Sequence, residues 1–360
     1  MHQPNDPYAE VRIRYFLSKG HKVYSIVFCK KEKQKQINGL NIIELPNLIF
    51  NNFLFVKRFI YGFHICRYTD NIDIFYVINA LNCFYLFSSK AKRNVLEVQG
   101  SDVLLTPKRY PLIKLYYRLF WRFCDGITQD SQIAQQRGNC FLPKHKVLNE
   151  VIEIGIDFDV FKPNIEKGLI RKKYKLGSRP IVFHSRGLKN LYNVDTLIAS
   201  LPIVKKKYTD VCYMLTGNRK DLDDKTKFFI KDKQLEQNIL FCGKLDHVKE
   251  MKYYYTDADI SISIPSSDSS PFSVYEAMAT LTPAVVSDLP WLKSKFVPGK
   301  HLSIVPVRDS SALAAAILKL LNNNMKLELD SAYQIVYQRI NKNKENEKLD
   351  NFFISLLKRS

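Results

Sequence analysis

The residues best suited to chemistry lie at positions 264–288, in the segment IPSSDSSPFSVYEAMATLTPAVVSD. An alternating apolar run that ends at Pro265 predicts a strand, and a polar turn follows it. We expect Ser270 to cap a helix whose first position is Pro271. This strand–turn–helix would place backbone N–H groups and a positive dipole end at the carboxyl edge of a sheet. Such an edge suits a phosphate group.

Two carboxylates belong to the same segment. Asp268 lies in the turn and Glu276 lies in the second turn of the helix, where its side chain leans back toward the turn. Carboxylates beside an anion site would repel a phosphate, so we expect both to accept hydrogen bonds from sugar hydroxyls. The segment therefore predicts a nucleotide-sugar site. The alternative is an ordinary capped helix that packs against a sheet.

Composition restricts the class of protein. The 360 residues exceed one usual hydrophobic core and predict two domains. Seven cysteines are scattered without a Cys-x-x-Cys pair, which indicates a reducing compartment and argues against a zinc site. Polar residues follow Met1 directly, and no apolar run reaches the roughly 18–20 residues of a membrane-spanning helix. We therefore expect a cytoplasmic protein.

Positive charge is the second compositional signal. The net charge is +20, and residues 1–150 hold 22 Lys and Arg against 11 Asp and Glu. Basic and aromatic residues alternate in Asn52–Tyr68 and Tyr110–Phe123, which favours docking on an anionic membrane face. Burial of both segments as helices of an α/β domain is the alternative. Nucleic-acid binding is the least favoured interpretation, because no recognised nucleic-acid module is present.

Strand-like and helix-like segments alternate along the chain. The predicted strands are 22–28, 41–45, 72–77, 94–98, 126–128, 151–154, 181–184, 211–216, 239–242, 259–264, 284–287 and 302–305. The predicted helices are 8–18, 112–123, 131–137, 194–206, 248–255, 271–280 and 310–321. This alternation indicates two doubly wound parallel sheets with ligands at the carboxyl ends of their strands. A doubly wound domain normally opens with a strand, so we also expect that a first strand is missing or truncated before the loop-like start.

The segment 264–288 resembles the donor-site motif of the family 4 retaining glycosyltransferases (glycosyl transferases group 1), which have the GT-B fold. That motif is Glu, seven residues, Glu, then Ala-Met-Ala-x-Gly-x-Pro-Val-Val. Here Asp268 replaces the first Glu, and Glu276 is followed by Ala-Met-Ala. Leu281 stands where the family has Gly. Because leucine does not easily adopt a left-handed conformation, we expect the exit turn of the helix to differ locally.

Three other motifs extend the resemblance. VQGSD at 98–102 is similar to the His/Trp-Gly-Ser/Thr-Asp motif, with Gln99 in place of His or Trp. The resemblance implies that Asp102 contacts donor or acceptor hydroxyls; an Asp that caps the following turn is the alternative. IGID and FKP, within 154–163, resemble the bridge between the domains. FCGK at 241–244 resembles the turn that meets the nucleotide base, which makes Gly243 a donor-binding candidate.

SRGLK at 185–189 resembles the family's Gly-Arg-x-x-x-x-Lys, whose two cations hold the donor diphosphate. The resemblance therefore assigns the diphosphate to Arg186 and Lys189. Two cations there would stabilise charge on the leaving phosphate without a metal. Phe272 and Ser273, at the start of the motif helix, complete the donor-binding candidates.

The resemblance implies a GT-B fold, with two Rossmann-like domains facing each other across a cleft. We expect an acceptor-side domain at 1–163, a donor-binding domain at 164–340, and a C-terminal helix at 341–360 packing back toward the first domain. The implied activity is metal- and cofactor-independent transfer of a sugar from a nucleoside-diphosphate sugar to a lipid-linked or cell-envelope glycan acceptor. The enzyme would associate peripherally with the inner face of the membrane and bind no nucleic acid. A non-catalytic relative that binds a sugar nucleotide or glycan is the alternative.

Overall fold

The computed structural model describes residues 7–27, 37–45 and 54–359. The chain divides into two compact units. Met1–Ile154 with Asn343–Ser360 forms the first unit, and Gly155–Lys342 forms the second. The domain bounds expected from the sequence stay a prediction. The expected loss of a first strand concerns residues outside the described ranges, as do Phe28 and the first two residues of the segment Asn52–Tyr68.

All strands in the described ranges pair in parallel, as the βα alternation predicts. The described strands are β1 (Tyr24–Val27), β2 (Asn41–Glu44), β3 (Ile74–Ile78), β4 (Arg93–Val98), β5 (Gly126–Gln129), β6 (Leu148–Val151), β7 (Ile181–His184), β8 (Cys212–Leu215), β9 (Ile239–Phe241), β10 (Ile260–Ser263), β11 (Ala284–Ser287) and β12 (Ser303–Val305).

Helices connect the strands. The described α-helices are α1 (Pro7–Ser18), α2 (Leu54–Tyr68), α3 (Phe84–Phe87), α4 (Gly100–Leu104), α5 (Thr106–Arg109), α6 (Ile113–Phe120), α7 (Gln132–Gly138), α8 (Leu169–Lys173), α9 (Val194–Lys205), α10 (Asp224–Asp232), α11 (Met251–Asp257), α12 (Phe272–Ala279), α13 (Ser310–Leu321), α14 (Leu329–Arg339) and α15 (Lys342–Leu357). Short 3₁₀ turns lie at Ala80–Asn82, Trp121–Phe123, Asn139–Phe141, Asn190–Tyr192, Arg219–Asp221, Glu236–Asn238 and Pro290–Ser294.

The second unit is a doubly wound domain. Its six strands lie in the order β12-β11-β10-β7-β8-β9. Strands β7, β8, β10 and β11 are buried along their whole length, and β7, β8 and β11 have the nearly continuous apolar sequence typical of such strands. Helices α9 and α13 contribute to the same hydrophobic core through Leu197, Ile198 and Ile317.

The first unit contains a four-stranded parallel sheet, β3-β4-β5-β6, and a two-stranded parallel sheet, β1-β2. Its core includes Trp121 and Tyr117, both fully buried. The strand predicted at 151–154 is placed wrongly: the ladder of β6 pairs Leu148–Val151 with β5. Beyond it, the N–H of Glu153 donates to the carboxylate of Glu345 on α15 (2.8 Å), so this apolar run leaves the sheet.

The start of helix α12 also differs from the prediction. Pro271, not Ser270, occupies the N-cap position, and the helix begins at Phe272. The carbonyl of Pro271 accepts the N–H groups of Val274 (2.9 Å) and Tyr275 (3.2 Å), and that of Ser270 accepts the N–H of Phe272 (3.1 Å). The bond from Val274 satisfies one of the free N–H groups at the helix start, and the bond from Tyr275 is the first regular i→i−4 bond of the helix.

The exit of α12 corrects a further expectation. Leu281 adopts the left-handed conformation (φ 56°) that the sequence argument reserved for glycine. The N–H of Thr282 donates to the carbonyl of Ala277 (2.8 Å), and the N–H of Leu281 donates to that of Met278 (3.1 Å). These two bonds form a Schellman motif, which satisfies the last helix carbonyls. The turn thus keeps the geometry expected of glycine despite the side chain.

Leucine in this conformation should carry a measurable strain. We expect Leu281→Gly to be more stable than Leu281→Ala by about 1 kcal/mol, because a left-handed conformation costs an L-residue about 1–2 kcal/mol. The Ala variant removes the same side chain and keeps the strain. Urea unfolding of both variants measures the difference. An Ala variant as stable as the Gly variant would contradict the strain.

Candidate functional site

The candidate site lies where the strand order of the second unit reverses, between the neighbouring strands β7 and β10. Loops that follow these two strands are hydrogen-bonded to each other. The N–H of Ser266 donates to the carbonyl of Leu191 (2.9 Å), and its hydroxyl donates to Asn193 (3.0 Å). The Asn193 amide donates to the carbonyl of Ile264 (2.8 Å). Such a switch point is where doubly wound domains bind ligands.

Arg186 and Asp268 meet at this point, although 82 residues separate them. They form an ion pair, with the Arg side chain 21% and the Asp side chain 10% exposed. The guanidinium also lies over the ring of Tyr192, 4.4 Å from its centroid. Burial lowers the pKa of Arg186, but the charges of Asp268 and Tyr192 and the hydrogen bonds to them together raise it by more, so the net pKa is above its ordinary value. Arg186 is thus a permanent, partly buried cation between the loops that follow β7 and β10.

Glu276 is buried on α12 and both of its carboxylate oxygens have protein donors. The Tyr255 hydroxyl of α11 donates to Oε2 (3.0 Å) and also lies 2.7 Å from the Oγ of Ser185, next to Arg186. The Nε2 of His247 lies 2.5 Å from Oε1. Sequence reasoning missed both partners, since neither belongs to a local motif. Glu276 therefore belongs to a network that reaches the loop after β7.

Gly243 lies in the loop after β9 and pairs with Gly217 in the loop after β8. Each N–H donates to the other's carbonyl, at 2.8 and 3.1 Å. Both residues have positive φ, 69° and 105°. A Cβ added at Gly217 would lie 3.0 Å from Leu188. Two glycines therefore allow these loops to approach each other closely at the carboxyl edge of the sheet.

Three further donor-binding candidates, Lys189, Ser273 and Phe272, lie in the same unit. Lys189 is exposed, and its carbonyl accepts the N–H of Tyr192 (2.9 Å). The Ser273 hydroxyl is buried and donates to Ser263 of β10 (3.1 Å). The Phe272 ring lies edge-on to Tyr275. The donor-binding roles of these residues stay predictions.

Asp102 lies in the first unit, where it is 2% exposed. One carboxylate oxygen accepts the N–H groups of Ala80 (2.8 Å) and Gln99 (3.1 Å), so the side chain caps α4. Burial raises the pKa of Asp102 to about 6, although both backbone donors lower it. Contact between Asp102 and a sugar hydroxyl stays a prediction.

No three His, Cys, Asp or Glu side chains in the described ranges are grouped to hold a metal ion. Among the same residues, no helix has both the length and the apolar character needed to cross a membrane.

Comparison with known proteins identifies the family. Residues 166–344 match the family model "Glycosyl transferases group 1", and this range contains the loops of the candidate site. This half of the chain belongs to the glycosyl transferases group 1 family. The resemblance expected from the sequence is thereby confirmed.

Two relatives match parts of the chain. An alpha-monoglucosyldiacylglycerol synthase of Streptococcus pneumoniae (strain ATCC BAA-255 / R6) is 24% identical over 192 residues, 52% of this chain. A phosphatidyl-myo-inositol mannosyltransferase of Mycobacterium leprae (strain TN) is 28% identical over 152 residues, 42% of this chain. The matches span 42% and 39% of these relatives' own lengths.

Solved structures match nearly the whole chain. Anabaena HepE in complex with UDP and glucose aligns over 98% of both chains, with a TM-score of 0.79 and 16% identity. Sucrose-phosphate synthase from Thermosynechococcus elongatus also gives 0.79 at 16% identity, over 98% of this chain and 94% of that one. The likeness covers both units and confirms the GT-B fold.

Proposed function

We propose that the protein is a retaining glycosyltransferase that moves a sugar from a nucleoside-diphosphate sugar to a hydroxyl acceptor. The observation that carries this proposal is the assembly of Arg186, Asp268 and Glu276 around one switch point. A nucleotide-sugar donor requires a cation that binds its diphosphate. It also requires hydrogen-bond acceptors for the hydroxyls of its sugar and of its ribose. The HepE structures with UDP, UDP-glucose, or UDP and glucose agree with this substrate class.

Each residue has a role in the proposed reaction. Arg186, together with Lys189, binds the diphosphate and stabilises the negative charge that grows on the leaving phosphate. Asp268 accepts a hydrogen bond from a hydroxyl of the donor sugar, and Glu276 accepts hydrogen bonds from the ribose. Transfer takes place on the front face, where the leaving phosphate accepts the proton of the acceptor hydroxyl. The reaction requires neither a metal nor a cofactor.

A thermal-shift screen with UDP-, GDP- and ADP-sugars identifies the donor, because a bound ligand raises the apparent stability by mass action. Release of nucleoside diphosphate from the stabilising donor then tests catalysis. A protein that binds a donor and never releases the diphosphate would be the non-catalytic relative. The left-handed turn at Leu281 removes one sequence argument for that alternative.

The proposed acceptor is lipid-linked, and the first unit docks on an anionic membrane surface. One partial relative is named as the synthase of a glucosyldiacylglycerol, and the other as a mannosyltransferase of phosphatidyl-myo-inositol. Helix α6 and its flanks provide the surface: residues 103–124 contain five Lys and Arg and no acidic residue. Leu112, Leu115 and Leu119 on the outer face are 85%, 69% and 43% exposed.

The opposite face of the same segment is core, since Tyr117 and Trp121 are fully buried. The two interpretations of Tyr110–Phe123, membrane docking and burial in an α/β domain, therefore describe opposite faces of one amphipathic segment. The outer leucines can enter the acyl boundary while Lys114 and Arg118, both exposed, contact lipid headgroups.

We expect the protein to co-sediment with vesicles that contain phosphatidylglycerol and not with pure phosphatidylcholine vesicles. Binding should be lost near 1 M salt, where the Debye length falls to about 3 Å. The double variant Leu112→Asn, Leu115→Asn should bind at least about tenfold more weakly, because even one leucine that enters the bilayer contributes about 1.5–3 kcal/mol.

Phe228 is the matched control, because it is 71% exposed on α10 of the second unit. Phe228→Asn should bind vesicles as the unchanged protein does. Equal recovery of the unchanged protein in the supernatant with both lipids would refute membrane docking. Equal losses of vesicle binding in the double leucine variant and in Phe228→Asn would refute the assignment of the docking surface to α6.

A further inference from the structure

His247 lies on the loop after β9 and is not part of any motif in the sequence. Its Nε2 lies 2.5 Å from Oε1 of Glu276, with the His side chain 55% exposed and the Glu side chain 5% exposed. The imidazole ring packs against Phe161, with 5.3 Å between ring centroids. The histidine therefore connects a buried carboxylate to the surface of the second unit.

The carboxylate of Glu276 keeps capacity for a ligand. Two oxygens offer about four lone-pair positions, and His247 and Tyr255 use one on each oxygen. A ribose with two adjacent hydroxyls can use the others. The two protein donors fix the rotation of the carboxylate before a ligand arrives, which lowers the entropy cost of binding.

Negative groups surround the imidazole. Besides Glu276, these are Asp246 on its own loop and Asp157 in the turn that precedes Phe161, where Asp157 also pairs with Lys342. Tyr255 shares the carboxylate and lies within the electrostatic reach of Arg186. Burial lowers the pKa of His247, but the hydrogen bond to Glu276 and the nearby carboxylates raise it more, so the net pKa is above the ordinary value.

We propose that His247 is a positioning residue, which holds Glu276 in the orientation that binds the ribose of the donor. This inference rests on the proposed function. In its protonated form His247 forms an ion pair with Glu276, and this cation also favours the anionic diphosphate. As pH rises through its raised pKa, the charge is lost and a neutral hydrogen bond remains. Donor affinity should therefore weaken with rising pH.

Calorimetry tests this with whichever of UDP, GDP and ADP binds the full chain most tightly. His247→Ala should raise the Kd about three- to tenfold at pH 6.5, a modest effect for a half-exposed pair. The ratio of the variant's Kd to that of the unchanged protein should decrease toward pH 9. The ratio cancels the titration of the nucleotide itself. His247→Gln retains a neutral donor, so its Kd should lie between the two at pH 6.5.

His21 of the first unit is the matched control, since it is 53% exposed and 3.9 Å from Asp350. His21→Ala should leave the Kd unchanged at every pH. A ratio for His247→Ala that stays near one, or that does not change with pH, would overturn the proposal. Glu276→Gln separates the two claims. If it weakens binding while His247→Ala does not, the inference alone fails; if neither has an effect, the donor site itself is wrong.

Discussion

Replacement of Arg186 by alanine should lower kcat/KM for the donor by about a hundred- to a thousandfold, with most of the loss in kcat. Loss of one preorganised group that stabilises transition-state charge typically costs about 10²–10³ in kcat. The partly buried pair with Asp268 makes the loss larger, since the substitution leaves that carboxylate uncompensated. Single-turnover release of nucleoside diphosphate measures the effect. Arg186→Lys keeps the charge without the fork and should retain an intermediate rate.

Arg171 is the matched control for this substitution. It pairs with Asp259 at 2.8 Å, with the Arg side chain 24% exposed, in the same unit. Asp259 directly precedes β10, so this pair lies at the opposite end of the strand from Asp268. Arg171→Ala should lower stability and leave kcat/KM unchanged. Similar activity losses in both variants would mean that Arg186 acts only through the fold.

Glu276→Gln should raise the donor KM by about tenfold or more and change kcat less. Each hydrogen bond to a charged group contributes about 1.5–3 kcal/mol, and the amide offers one acceptor oxygen where the carboxylate offers two. The volume of the side chain is retained, so the buried contact with Tyr255 can re-form. Initial rates over a range of donor concentrations separate KM from kcat.

Glu345 of the first unit controls for the loss of a buried carboxylate. It is 1% exposed on α15 and accepts the N–H of Glu153. Glu345→Gln should reduce the free energy of unfolding and leave the donor KM unchanged. A KM for Glu276→Gln equal to that of the unchanged protein would exclude Glu276 from donor binding.

The sequence predicted the second unit well because four of its six described strands are buried along their whole length. Strands β7 and β11 have the predicted bounds, and Arg186 and Asp268 follow neighbouring strands as the motifs implied. The parallel topology brings the ends of such strands together whatever the separation in sequence. Local patterns were therefore sufficient to place this ion pair.

Side-chain contacts between segments that are far apart in the sequence and share no motif could not be predicted in this way. His247 and Glu276 lie 29 residues apart and belong to no shared periodicity. The polar start of α15 is another case: Asn346 is buried because Arg12, 334 residues earlier, donates to its side chain (2.7 Å). The conformation of Leu281 was mispredicted because hydrogen bonds of the Schellman motif outweighed the local preference of leucine.

The proposal of a retaining glycosyltransferase is tested most directly by an NMR time course. In it, purified protein is incubated with the nucleotide sugar that stabilises it in the thermal-shift screen. We expect release of the nucleoside diphosphate, with the first-formed sugar product in the same anomeric configuration as the donor. We also expect that Arg186→Ala abolishes most of this release. A product of inverted configuration would contradict the retaining mechanism. A donor that binds and remains intact would contradict the enzyme itself.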